Sequence, residues 1–149
     1  MRQQTVVVVE NDQRRIDAMH AEINENFPEA QLHFFTNAPS AIAWLERNWS
    51  MVNLVSLDFD LGTDAELANP NFSVGTGGDV AEWLAGREQF CPVILHTDSF
   101  FTRPTMQKAL DVGNWKHEVV TPGNGTTWVA RLWLPIVQKH LSEGIWKDN

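Results

Sequence analysis

Thr5-Val-Val-Val-Val9, followed at once by Glu10-Asn11-Asp12, is the stretch on which the fold turns. Five β-branched residues in a row, with no polar alternation, suit a strand buried on both faces, as in a parallel sheet covered by helices. Working outward, Ile16, Met19, Ile23 and Phe27 recur at spacings of three and four. That spacing predicts an amphipathic helix, which Pro28 helps to end. Leu32 to Phe35 reads as a second strand, and Ser40 to Asn48 as a second helix carried by Ile42 and Leu45. Asn53 to Leu57 is a third strand that runs into Asp58-Phe59-Asp60.

Gly62 to Gly78 shows no period and is rich in Gly, Asn, Asp and Thr, so it reads as a long irregular insertion, functional or mobile. Asp79 to Arg87 is predicted helical with Asp79 as its N-cap and Glu82 three residues on. Pro92 to Leu95 is a fourth strand, ending at His96-Thr97-Asp98. Pro104 to Val112 is a helix that Gly113 stops, and His117 to Val120 is a fifth strand. Thr127 to Leu141 is a last helix with Trp128, Val129, Leu132, Ile136 and Val137 on its apolar face, and Pro135 should kink or split it. Strand and helix thus alternate five times. Parallel βαβ units with right-handed crossovers follow, hence an α/β fold: a doubly wound five-stranded parallel sheet in a three-layer sandwich, formed by residues 1–149 as one domain.

Composition narrows the partners. The 149 residues carry 11 Lys and Arg against 19 Asp and Glu, a formal net charge of −8, and no basic patch, which disfavours duplex DNA. No apolar run approaches the ~20 residues of a membrane span, and no signal-peptide core is present. Cys91 is alone, which suits the reducing cytoplasm. Seven Trp without a Tyr has no functional explanation in the sequence.

In open parallel sheets the ligand site lies beyond the carboxyl ends of the strands, where strand order reverses. The polar residues there are Glu10, Asn11 and Asp12, then Asp58 and Asp60, then His96, Thr97 and Asp98, then Thr121 and Pro122. Clustered carboxylates are unfavourable unless a cation or proton intervenes, and hard oxygen donors with water and phosphate suit Mg²⁺. Glu10, Asp58 and Asp60 therefore read as a divalent-metal pocket able to hold phosphate, whereas Asp12 and Asp98 read as helix caps or turn residues. His96 is either a structural histidine or an acid–base group of that pocket. His20, His33, His117 and His140 show no metal-ligand spacing, and Gly75-Thr-Gly-Gly78 lacks the strand and Lys of a phosphate-binding P-loop.

Val9-Glu10-Asn11-Asp12, Leu57-Asp58 and Leu95-His96-Thr97 resemble, in order and over nearly the whole chain, a receiver domain of two-component response regulators. The resemblance implies a flavodoxin-like fold and phosphoryl transfer from a histidine kinase to Asp58. It implies Mg²⁺ (or Mn²⁺) held by Glu10, Asn11, Asp58 and the backbone at Asp60, and a switch role for the Thr97 hydroxyl. Thr121-Pro122 stands where such domains have Lys-Pro, and Glu-Asn where they have two Asp. A narrower resemblance lies in Ser56-Leu-Asp-Phe-Asp-Leu-Gly62, Gly75-Thr-Gly-Gly-Asp-Val-Ala-Glu-Trp-Leu84, Val93-Ile-Leu-His-Thr-Asp-Ser99 and Met106. These look like the cyclic-phosphate-processing receiver family, with Phe59 for its first His, Thr97 for its Ser and Ser99 for its Asn.

Three functions are in play. The first is a metal-dependent phosphoesterase of cyclic phosphates, with Asp58, His96 and Thr97 as catalytic residues and a phosphate-containing small molecule as ligand. The second is a single-domain signalling receiver phosphorylated on Asp58. The third is a degenerate receiver that binds a protein partner, or a second copy of itself, through an exposed Trp such as Trp115 or Trp146.

Overall fold

Val6 to Val9 have no exposed surface at all, which explains why the first strand tolerates no polar alternation. The computed structural model describes residues 3–62 and 73–143. Its elements are β1 (Thr5–Val9), α1 (Gln13–Asn26), β2 (Gln31–Phe35), α2 (Ala38–Asn48), a 3₁₀ turn (Trp49–Met51) and β3 (Leu54–Leu57). They continue through α3 (Gly77–Ala85), β4 (Val93–His96), α4 (Arg103–Val112), β5 (Glu118–Val120), a π-helical turn (Val129–Trp133) and α5 (Leu134–Glu143).

The five strands form one sheet in the order β2-β1-β3-β4-β5, with every pairing parallel. Chain direction across the sheet reverses between β1 and β3, so a crevice opens at their carboxyl ends. Register is Val9 opposite Leu57, and the Asp58 N–H continues the ladder to the Val9 carbonyl at 3.0 Å. Glu10 and Asp58 are therefore neighbours across the reversal. The flavodoxin-like order and the five alternating units are those that the sequence predicts.

Alternation sends successive strand residues to two cores. Val7, Val9, Val55, Leu57, Val93 and Leu95 pack with α2, α3 and α4, around Leu45, Leu84, Met106 and Leu110. Val6, Val8, Leu54, Ile94 and Val120 pack with α1 and the last helix, around Met19, Ile23, Trp133 and Val137.

Four expectations change. β4 extends through His96, which pairs with Val120, so His96 is a sheet residue rather than the first residue of a loop. The N-cap of α3 is Thr76, not Asp79; Asp79 sits in the first turn and its Oδ2 accepts the Thr76 N–H at 2.9 Å. An Asp at that position answers the orphan amide of the helix end equally well, which is why the sequence pattern misplaces the cap by three residues. Of the irregular insertion, residues 63–72 lie outside those described. Its return is anchored: Asp60 bridges to Thr76, and Val74, 4% exposed, accepts the Ala38 N–H.

The last helix differs because its first part is a π turn. The Leu134 N–H bonds the Val129 carbonyl five residues back, bringing Trp128 and Trp133 to the core and leaving Leu132 half-exposed. Pro135, which has no N–H to place in such a ladder, falls just after it, at the second residue of α5. Trp115 is not a surface anchor. It is 2% exposed, stands edge-on to Phe90, and donates its Nε1–H to the Arg87 carbonyl at 2.7 Å. Trp146 lies outside the described residues. No described helix is long and apolar enough to cross a membrane.

Candidate functional site

Three strand ends and the first turn of α1 enclose an open pocket of about 370 Å³. Glu10, Asn11 and Asp12 follow β1, and Arg15 lies in the first turn of α1. Asp58, Asp60 and Gly62 follow β3, and Thr97, Asp98 and Ser99 follow β4. The fold thus brings Glu10, Asn11, Asp58, Asp60 and Thr97 to one pocket. His96 is absent from the lining.

Glu10 has no exposed surface and is held by both carboxylate oxygens. Oε2 accepts the Asn11 and Asp12 N–H groups at 2.9 and 3.1 Å; Oε1 lies 3.2 Å from His96 Nε2 and 3.4 Å from Arg15 Nη1. The His96 contact is at ion-pair distance but off the line of a well-formed hydrogen bond. Burial by itself raises the Glu10 pKa. The His96 contact, the Asp12 N–H and the Arg15 guanidinium outweigh it and hold the carboxyl below its ordinary value. Glu10 is a buried anion.

Asp58, 6% exposed, is the opposite case. Burial and the Glu10 charge push its pKa up to about 8, against the weaker pull of Arg15 and of the Phe59 N–H, which bonds Oδ1 at 2.8 Å. Two carboxyls forced together in a poorly hydrated crevice cannot both ionise without a cation. Asp60 and Asn11 are exposed at the mouth. Gly62 has φ +54°, and a Cβ there would collide with the Asn11 amide; glycine lets the chain pass over Asn11. At Gly77 a Cβ would strike the Asp58 carbonyl, so glycine lets the start of α3 pack on the strand end, where its N–H bonds the Phe59 carbonyl.

Thr97, 1% exposed, accepts the Ser99 N–H on Oγ1 at 3.3 Å. Asp12 is the N-cap of α1 and accepts from Arg14 and Arg15. Asp98 is neither cap nor simple turn residue: it accepts from Arg15 Nη2 at 2.5 Å.

His96 is fully enclosed because alternation turns it away from Leu95 and onto the α1 and α5 face, stacked 6.0 Å from the Trp128 ring. Its Nδ1 lies 2.6 Å from Ser56 Oγ, and Ser56 accepts Trp133 Nε1–H at 3.0 Å. A tautomer with the proton on Nε2 satisfies this chain: Trp133 donates to Ser56, Ser56 to His96 Nδ1, and His96 faces Glu10. His96 stands behind Glu10, and the pocket lies in front.

Sequence reasoning missed Arg15, Ser56 and Trp133. One signal was present, a lone Ser inside the apolar run Leu54-Val-Ser-Leu57. Among the described residues no group of three His, Cys, Asp or Glu converges tightly enough to enclose a metal alone. Mg²⁺ asks for less, since one or two carboxylates with water suffice, and the oxygen donors here fit that requirement.

Comparison with known proteins agrees with the strand-end pattern. Among solved structures, the phosphorylated cyanobacterial phytochrome response regulator RcpA superposes with a TM-score of 0.73 at 14% identity, over 95% of this chain and 96% of that one. A response regulator receiver domain from Rhodospirillum rubrum gives 0.65 at 21% identity, over 95% and 94%. The Mn²⁺-bound form of the response regulator Rcp1 gives 0.67 at 13% identity, over 91% and 92%. At these identities the likeness is one of fold. No curated protein matches the sequence significantly. The profile of the Cyclic-phosphate processing Receiver domain matches residues 6–112. The chain belongs to that family of receiver domains.

Proposed function

We propose that this receiver domain handles phosphate in the β1–β3 crevice, with a divalent cation held by Asp58, Glu10 and the main chain at Asp60, Asn11 standing beside them, and that its ligand is a small cyclic phosphate. One observation carries the reading. Asp58 is buried against an ionised Glu10 and pushed up to about 8, an arrangement that a cation relieves. A bound Mg²⁺ or Mn²⁺ would polarise a phosphoryl oxygen and lower the pKa of water.

The residues of the chain do the rest. Asp58 binds and, once its proton is displaced, supplies charge at the crevice floor. The Thr97 hydroxyl, at the wall, is available to a phosphoryl oxygen. His96 acts through Glu10: enclosed behind it, the ring holds the carboxylate in one orientation and is a positioning residue.

The test is hydrolysis of a 2′,3′-cyclic nucleotide by purified protein with Mg²⁺ or Mn²⁺. Turnover that Asp58→Ala abolishes is the expected result, and turnover unchanged by that substitution overturns the assignment. Incubation with acetyl phosphate separates the signalling receiver, which would gain one phosphoryl mass on Asp58. Among the described residues the pocket lining holds no Lys to support that transfer, and no mass gain is expected.

A further inference from the structure

Among the described residues five carboxylates stand on the walls of the crevice, and Arg15 is the one cationic side chain with them. A phosphate entering so acidic a lining gains from a cationic donor to its outer oxygens beside the divalent cation. We infer that Arg15 is the group that grips the phosphate, and that Asp98 holds its guanidinium at the pocket edge until the phosphate replaces it. This rests on the reading of the crevice as a phosphate site.

The geometry divides the guanidinium into a fixed and an exchangeable half. Nη1 lies 3.4 Å from Glu10 Oε1, inside the protein, and the guanidinium carbon stands 5.3 Å from the centroid of the Trp128 ring. The side chain of Arg15 is only 15% exposed, so Trp128 and Glu10 hold it in position. Nη2 pairs with Asp98, whose side chain is 55% exposed on the loop after β4. An ion pair with so exposed a partner is weak, and water re-solvates the released carboxylate readily. A phosphate offers what Asp98 offers, an anionic oxygen for Nη2, with more charge. Exchange therefore keeps the fixed half in place and swaps one anion for another. Among the described residues no Lys lines the crevice to compete for that task.

The test is calorimetry on the full chain, first with Mg²⁺, then with inorganic phosphate on Mg²⁺-loaded protein. Arg15→Gln is expected to weaken phosphate on the order of tenfold to a hundredfold, the loss of a charge-assisted hydrogen bond. Mg²⁺ affinity should rise, because a positive charge beside Glu10 is gone. Opposite movements distinguish a binding role from a structural one, which would weaken both. Asp98→Asn, which removes the competing anion, should tighten phosphate by roughly threefold or more. Arg15→Lys serves if the Gln variant does not fold: it keeps the charge, loses the fork, and should fall between the two. Wild-type affinity for phosphate in Arg15→Gln or Arg15→Lys overturns the assignment while leaving the phosphate site intact. Mg²⁺ binding without phosphate binding in the wild-type protein removes the phosphate reading, and the assignment with it.

Discussion

The two faces of the sheet are built from the same strands and do different work. Toward α2, α3 and α4 the central strands β1, β3 and β4 present Val7, Val9, Val55, Leu57, Val93 and Leu95. Toward α1 and α5 the strands carry Val6, Val8, Leu54 and Ile94, but also Ser56 and His96, joined to Trp133 on one side and Glu10 on the other. One face is a close-packed core. The other contains a polar chain that starts in the π turn and ends at a carboxylate in the pocket wall. Buried polar groups are tolerated when each finds a partner, and such chains fix side chains more narrowly than apolar packing does. The difference teaches that stability and site geometry are assigned to opposite sides of one sheet, and neighbouring residues can test it.

Leu95→Ala should have the largest effect, a loss of about 2–5 kcal/mol in urea denaturation, since a buried leucine leaves a cavity. The folded fraction should keep its Mg²⁺ affinity. A loss of affinity there would mean that the apolar face also sets the site.

The second effect is on pH. Without metal, the folded protein keeps a proton on Asp58 up to about pH 8, whereas the unfolded chain releases it near 3.8. Between those values the folded state binds more protons, so stability falls as pH rises through the window. Saturating Mg²⁺ should flatten that trend, because the metal-bound folded state and the unfolded chain are then both without the proton. Its apparent affinity should drop roughly tenfold per unit as pH falls below 8, or about a hundredfold by pH 6, because a proton competes for the same oxygen. Flat Mg²⁺ affinity between pH 6 and 8 would detach Asp58 from the site.

His96→Leu comes third. It keeps the volume but strips Ser56 and Glu10 of a partner, at about 1–3 kcal/mol of stability. Unlike Leu95→Ala it should also weaken Mg²⁺, as Glu10 loses its orientation. Stability lost without any change in Mg²⁺ affinity would reduce the polar chain to a local feature of the core. Ser56→Ala, one link further back, should cost about 1 kcal/mol and change Mg²⁺ affinity least. Equal effects of the two substitutions on Mg²⁺ would contradict a chain that acts through His96.

Most of this architecture was legible in one dimension. Val6 to Val9 have no surface, and a continuous β-branched run says so directly; strand and helix order then follow, and with them the crevice that Glu10 and Asp58 share. What escaped has a common cause. His96 read as the first residue after a strand, because periodicity cannot show whether one more residue joins the ladder, and that residue changes face. Arg15 escaped because its role is set by where the first turn of α1 lies over the strand ends, a property of packing and not of spacing. Trp133 is enclosed and Leu132 half-exposed beside the π turn, a choice between adjacent residues that spacing alone leaves open. Asp12 and Asp98 read alike as caps, and only the cross-loop contact with Arg15 separates them.

The central claim is that Asp58 and Glu10 form one cation-binding crevice. A Mg²⁺ titration followed by amide chemical shifts tests it most directly, with wild-type protein beside Asp58→Asn. Saturable shifts are expected at the ends of β1, β3 and β4, around Glu10, Asp58 and Thr97, and should vanish in Asp58→Asn. Shifts that never saturate, or that persist unchanged in Asp58→Asn, would contradict it.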